Sequence, residues 1–65
     1  MFDSVCVEYS VVSPAVLANR IENATGVLCN WRDVRGGEAF RLWVMGDITA
    51  EQSAVICSIC ARYIK

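Results

Sequence analysis

Apolar and polar positions change period along this chain, and each change marks an element. Val5, Val7, Tyr9 and Val11 alternate with Cys6, Glu8 and Ser10. That period of two predicts a first strand with one apolar face and one more polar face. At Ser13-Pro14 the pattern turns helical, with a hydroxyl residue at the cap position and proline at the first helical position. Leu17, Ala18, Ile21 and Ala24 then share one side, and Asn19, Glu22 and Asn23 the other. Gly26 is placed to end this helix in a left-handed conformation.

Two runs rich in strand formers follow, Val27 to Val34 and Ala39 to Gly46, separated by Arg35-Gly36-Gly37-Glu38. A Gly-Gly pair between such runs predicts a tight hairpin, because primed turns need positive φ at both central residues. With Gly36 and Gly37 as the turn, the register follows by counting outward. Arg35 opposes Glu38, Val34 opposes Ala39, Arg32 opposes Arg41, Trp31 opposes Leu42, Asn30 opposes Trp43 and Cys29 opposes Val44.

Thr49-Ala50-Glu51-Gln52 has the spacing of a capping box and opens a last helix running towards Lys65. At 100° per residue, Ala50, Ser53, Cys57, Cys60, Ala61 and Ile64 fall on its core side. Glu51, Ser58, Arg62 and Lys65 fall opposite, and Gln52, Val55, Ile59 and Tyr63 on the flank. Of the flank residues, Ile59 and Tyr63 are expected against the core and Val55 exposed, as a dimer contact or partner groove.

The expected fold is α+β, in the order β-α-β-β-α. A three-stranded sheet carries two helices packed on one face, and a right-handed crossover sets strand one parallel to a neighbour. This order resembles the first five elements of the ferredoxin-like plan without its final strand. The likeness is topological and implies no particular activity.

Length confines this to one domain, residues 1–65. A fold this small buries only about 60% of the surface of its unfolded chain, so its stability margin is thin. Six basic residues against seven acidic give a net charge of -1. Bulk polycationic binding of nucleic acid is thereby excluded, while a local basic patch is not. The longest apolar runs, such as Leu42 to Met45, span four residues, against the ~20 that cross a bilayer. No membrane partner is expected. The start of the chain has neither the basic residues nor the apolar run of a secretory signal, which points to the cytoplasm. There is no histidine, which removes Ser-His and Cys-His catalysis and the HExxH metal motif.

Four cysteines supply the first candidate chemistry. Cys57 and Cys60 form a CxxC, which alone suggests a redox pair or half of a zinc site. A thioredoxin-type pair sits at a helix start, where thiol pKa is lowered, whereas this pair lies two turns in. Cys6 and Cys29 are too far apart in sequence to form the second closely spaced ligand pair of a structural zinc site. Three of the four are therefore expected in the core and one half exposed, with no metal and no cofactor. The acidic residues show no spacing that demands acid-base work, and no catalytic residue is expected.

The hairpin's second face is more informative. If Cys29, Trp31, Phe40, Leu42 and Val44 point to the helices, then Leu28, Asn30, Arg32, Val34, Arg41, Trp43 and Met45 point away. Ser4, Cys6, Glu8 and Ser10 join them from strand one, and the five elements leave none to cover this face. Arg32 and Arg41 directly oppose each other there, which is destabilising unless Glu8, a partner's carboxylate or a phosphate neutralises them. Trp, Met and Arg together are the composition of an interface. The other reading is an ordinary solvated face, on which arginine stems cover a tryptophan.

The expected function is a non-catalytic protein-binding module. Its candidate partner-binding residues are Arg32, Arg35, Arg41, Trp43, Met45 and Leu28, with Val55 on the last helix. In size class the chain is similar to small phage-encoded inhibitors, anti-CRISPR and other anti-host proteins among them, which occlude a host protein; that analogy rests on size alone. Three alternatives stand beside it, the first two on the same face. One is a single-stranded nucleic-acid binder, with Trp43 stacking a base and Arg32, Arg35 and Arg41 following the backbone. Another is an ACT-like regulatory domain that forms a homodimer through its sheet. A thiol or zinc protein using Cys57 and Cys60 is the third.

Overall fold

A computed structural model describes residues 4–64. The elements are β1 (Ser4–Glu8), α1 (Pro14–Thr25), β2 (Cys29–Val34), a single 3-10 turn (Arg35–Gly37), β3 (Ala39–Val44) and α2 (Ala50–Cys60). The strands form one sheet in the order β1-β3-β2, antiparallel at both junctions. The fold is α+β, and no helix among the described residues is long and apolar enough to cross a membrane.

This strand order corrects one expectation. β1 and β2 run in the same direction, as the crossover through α1 requires, but β3 lies between them, so the neighbour of β1 is antiparallel. The reason lies in composition. Phe40 and Leu42 make β3 the strand best suited to the centre, and both are fully buried. β2 carries Asn30, Arg32 and Asp33 and takes an edge. Across the first junction Val5 opposes Leu42 and Val7 opposes Phe40, which joins apolar positions on one face.

Leu17 and Ile21 of α1, and Ile56 and Cys60 of α2, pack on Val5, Val7, Val27, Phe40 and Leu42 to form the core. Both helices therefore lie over the same face. Burying a side chain such as Phe40 contributes about 1.5–3 kcal/mol. Tyr9 adds an edge-on ring contact to Phe40, with centroids 5.2 Å apart at 60°.

The hairpin follows its turn chemistry. Gly36 has φ 67° and ψ 22°, Gly37 has φ 91°, and Glu38 N–H donates to the Arg35 carbonyl at 3.4 Å, the geometry of a primed turn. Every β2–β3 pair matches the register counted from the glycines. Beyond the two glycines, Arg35 also takes a left-handed conformation, φ 54°.

The helix ends differ in quality. Thr49 Oγ1 accepts from Gln52 N–H at 3.0 Å, and Gln52 Oε1 accepts from Thr49 N–H at 2.9 Å, a complete capping box. Gln52 Nε2 also donates to the Thr25 carbonyl at 3.3 Å, tying α2 to the end of α1. Gly26 closes α1 at φ 76°, its N–H donating to the Glu22 carbonyl at 2.7 Å. Ser13 occupies the N-cap position of α1 without a side-chain bond.

Three boundaries or faces depart from the periodic pattern. β1 stops at Glu8, because Val11 N–H turns back to the Glu8 carbonyl at 3.0 Å. Ala24 of α1 is exposed. On α2 the buried residues are Ser53, Ile56 and Cys60, with Ile59 and, past the end of the helix, Tyr63 packed against the core. The stripe is centred on Ile56, so Ala50, Cys57, Ala61 and Ile64 are exposed. Apolar residues occur all round this helix, and the small ones offered a false second stripe.

Candidate functional site

The face of the sheet opposite the helices can be read in rows. Glu8, Ala39 and Val34 form the row nearest the hairpin tip. Next come Cys6, Arg41 and Arg32, and then Ser4, Trp43 and Asn30. One step further, Met45 N–H donates to the Leu28 carbonyl at 2.8 Å, which extends the ladder and sets those two side chains on the same face. Alternation along the strands places all of these opposite Phe40 and Leu42.

The result is a surface with a basic middle and an apolar end. Arg32 and Arg41 are exposed and directly opposed. Met45 and Leu28 are 54% and 58% exposed, and Trp43 is half-buried between them and the arginines. Arg41 Nη1 donates to Ser4 Oγ at 3.3 Å. Among the described residues neither Arg32 nor Arg41 forms an ion pair, Glu8 included. Ala39 is fully buried on this face, its methyl too short to reach past Glu8 and Val34 beside it.

Two candidate residues lie elsewhere. Arg35 sits at the hairpin tip, two rows from Trp43, and lines a groove beside β1 with Cys6, Val11, Tyr63 and Ile64. Val55 is 38% exposed and lines a cleft between the helices with Ala24, Thr25, Glu51 and Gln52, remote from the outer sheet face. Ile59 and Tyr63 pack on the core, as their flank position predicts. Arg20 Nη1 donates to the Tyr63 hydroxyl, and its guanidinium lies 5.8 Å from the ring centroid.

All four cysteines are free thiols. Cys60 is buried, Cys6 and Cys29 half-buried, and Cys57 exposed, which corrects the placement of Cys57 on the core side. Burial, with smaller contributions from Cys57 and then Cys29, pushes the Cys60 thiol up to about 11. Burial and the nearby Glu22 also raise the Cys29 thiol. Both are protonated near neutral pH and poor nucleophiles. Among the described residues no three metal-ligating side chains converge.

Sequence reasoning missed Ser4 as the partner of Arg41, and Cys6 and Ile64 as walls of the β1 groove. No local signal marks such positions, since they become neighbours only once the strand order is known. The chain matches no protein-family model, and no match was found among curated proteins or solved structures. Fold and site together define a small α+β protein with one sheet face packed and the other left open by the described residues.

Proposed function

We propose that this protein is a non-catalytic binding module that receives an acidic protein surface on the open face of its sheet. The observation that carries this reading is the Arg32–Arg41 pair, two exposed guanidinium groups held opposite each other without a carboxylate among the described residues. Like charges across a strand pair cost stability, and a partner's carboxylates would remove that cost on docking. Trp43 and the two arginines are of the residue types that carry most binding energy at interfaces, and Met45 and Leu28 supply apolar contact beside them. The order β-α-β-β-α, with β3 between β1 and β2, supports reading the architecture as the ferredoxin-like plan without its last strand. A phage-encoded inhibitor, anti-CRISPR-like or directed at another host protein, would use such a face by occlusion.

The test compares wild type with Trp43→Ala and Arg41→Glu in pull-downs from the native host, with melts followed by circular dichroism. Both variants are expected to lose the captured protein while melting no lower than wild type by more than a few degrees. Full capture by both would remove this face from the function. Single-stranded nucleic acid is the second reading, favoured by the half-exposed Trp43 next to arginines that form no ion pair among the described residues. A labelled oligothymidylate whose affinity falls steeply with added salt would decide for it. No binding at low salt would end it.

A further inference from the structure

The two edges of the sheet are built differently. On β1, the Tyr9 N–H bond to the Glu38 carbonyl at 3.0 Å sets the alternation of the ladder. Val5 and Val7 direct their N–H and C=O towards β3, and Ser4, Cys6 and Glu8 direct theirs outward. On β2 the outward set is Cys29, Trp31 and Asp33. Trp31 N–H is occupied by Asn30 Oδ1 at 2.9 Å, and Asp33 brings a charge to the edge, where it accepts from the Tyr9 hydroxyl. Such devices blunt an edge against pairing. β1 has no proline or lysine and carries its one charge, Glu8, at its end; among the described residues, only the Glu8 carbonyl of its outward groups is engaged, by Val11 N–H. A groove of about 240 Å3 runs beside it, walled by Cys6, Glu8, Val11, Arg35, Tyr63 and Ile64.

We infer that β1 pairs antiparallel with β1 of a second copy of this chain, about a two-fold axis through Cys6. The strand is self-complementary in this register. Ser4 meets Glu8 of the second copy, Val5 meets Val7, and Cys6 meets Cys6, so all five residues are paired. The outward groups meet outward groups. Cys6 N–H and C=O exchange two hydrogen bonds across the axis, and each Glu8 N–H reaches a Ser4 carbonyl. The remaining two bonds run from Ser4 N–H to Glu8 carbonyls, each of which keeps a second lone pair beside its Val11 bond. Val5 and Val7 continue the apolar face, and the strand's single charge meets a hydroxyl. A slip of the axis to Glu8 would instead oppose two carboxylates. The pairing also brings Ile64, 51% exposed at the groove wall, against the incoming strand. It creates a six-stranded sheet whose outer face carries Arg32 and Arg41 of both copies in one row. The inference does not depend on what that face binds.

Sedimentation equilibrium in low salt tests it, with wild type expected to rise from 7.2 kDa towards twice that mass as concentration approaches the millimolar range. Ser4→Glu opposes two carboxylate pairs per dimer while keeping an acceptor for Arg41, and is expected to weaken association about tenfold. Ser4→Lys should tighten it, and Ser4→Glu with Glu8→Lys should restore it. In a Cys57→Ser background a short bismaleimide should bridge Cys6 to Cys6, since opposed Cα atoms of a hydrogen-bonded pair lie about 5.5 Å apart. A monomer at millimolar concentration would overturn the inference and leave the edge to an extended segment of another protein. A dimer indifferent to all three charge variants would overturn it equally, placing the contact on another surface.

Discussion

Replacing Arg32 with glutamate should make this protein more stable, and the size of the gain can be worked from the sheet. Arg32 and Arg41 are a directly opposed pair on β2 and β3, and the alternation set by the Met45–Leu28 bond makes it a hydrogen-bonded pair. At a charge separation of about 7 Å, two unit charges in water interact by about 0.6 kcal/mol. Arg32→Glu converts that repulsion into attraction, a change of about 1.2 kcal/mol, and Arg32→Gln removes only the repulsive half. For a chain of this length 1 kcal/mol moves Tm by about 4–8 °C. The melt at low ionic strength, followed by circular dichroism, should therefore rise by roughly 8 °C for glutamate and by half that for glutamine. The Debye length is about 3 Å at 1 M salt, so both gains should largely vanish there. Partner capture should be lost in Arg32→Glu even as the fold strengthens. Unchanged or lowered melts, or gains indifferent to salt, would refute the claim that the two guanidinium groups repel each other.

Three further outcomes follow from other parts of the molecule. Arg35→Gly should raise the urea midpoint slightly. Relief of a left-handed arginine is worth about 1–2 kcal/mol, against about 0.5–1 kcal/mol for the extra freedom of glycine in the unfolded chain; a fall in the midpoint would mean the arginine is held by contacts that outweigh its conformation. Gln52→Ala should cost about 1–2 kcal/mol through loss of the Gln52 Oε1 half of the capping box and of the Thr25 bond, whereas Gln52→Glu should lose less, since only the bond to Thr25 disappears; equal losses would show that the Gln52 side chain adds nothing to the cap beyond the Thr49 hydroxyl bond. Stability should also fall in alkali because of Cys60. Its thiol ionises near 9 when unfolded and about 11 when folded, so the stabilisation is fully present below pH 9 and drains away as pH rises from 9 to 11. Cys60 adds at most about 1.4 kcal/mol per pH unit to the slope in that window, on top of what the raised Cys29 thiol contributes, and Cys60→Ala should remove that share in urea titrations at pH 8 and pH 10.5.

The hairpin was legible because its turn is chemically demanding. Only glycine takes positive φ freely at two successive positions, so Gly36-Gly37 locates the turn and counting outward sets Trp31 inward and Trp43 outward. The Thr49–Gln52 spacing declared the capping box in the same way. Strand order was harder to read, because the handedness of a crossover sets the direction of β2 relative to β1 without saying whether a third strand lies between them. That choice belongs to long-range packing, where Phe40 and Leu42 demand burial and Arg32 and Asp33 demand an edge. The buried face of α2 was misplaced for a related reason: with Ala54, Val55, Ile56 and Cys57 in succession, only contact with the rest of the core selects Ile56. The position of Arg35 followed its backbone, which turns its side chain from the arginine row towards the β1 groove.

The two tryptophans have a consequence for how this protein can be watched. Trp31 opposes Leu42 and Trp43 opposes Asn30, so the rings leave the sheet in opposite directions, one packed against the core and one on the open face. Each indole therefore samples a different solvent boundary of the same sheet. In a Trp43→Phe protein the emission should follow folding alone. In a Trp31→Phe protein it should shift when something settles over the outer face, whether or not the fold changes. The chain thus carries two separate optical channels, one for its integrity and one for its company.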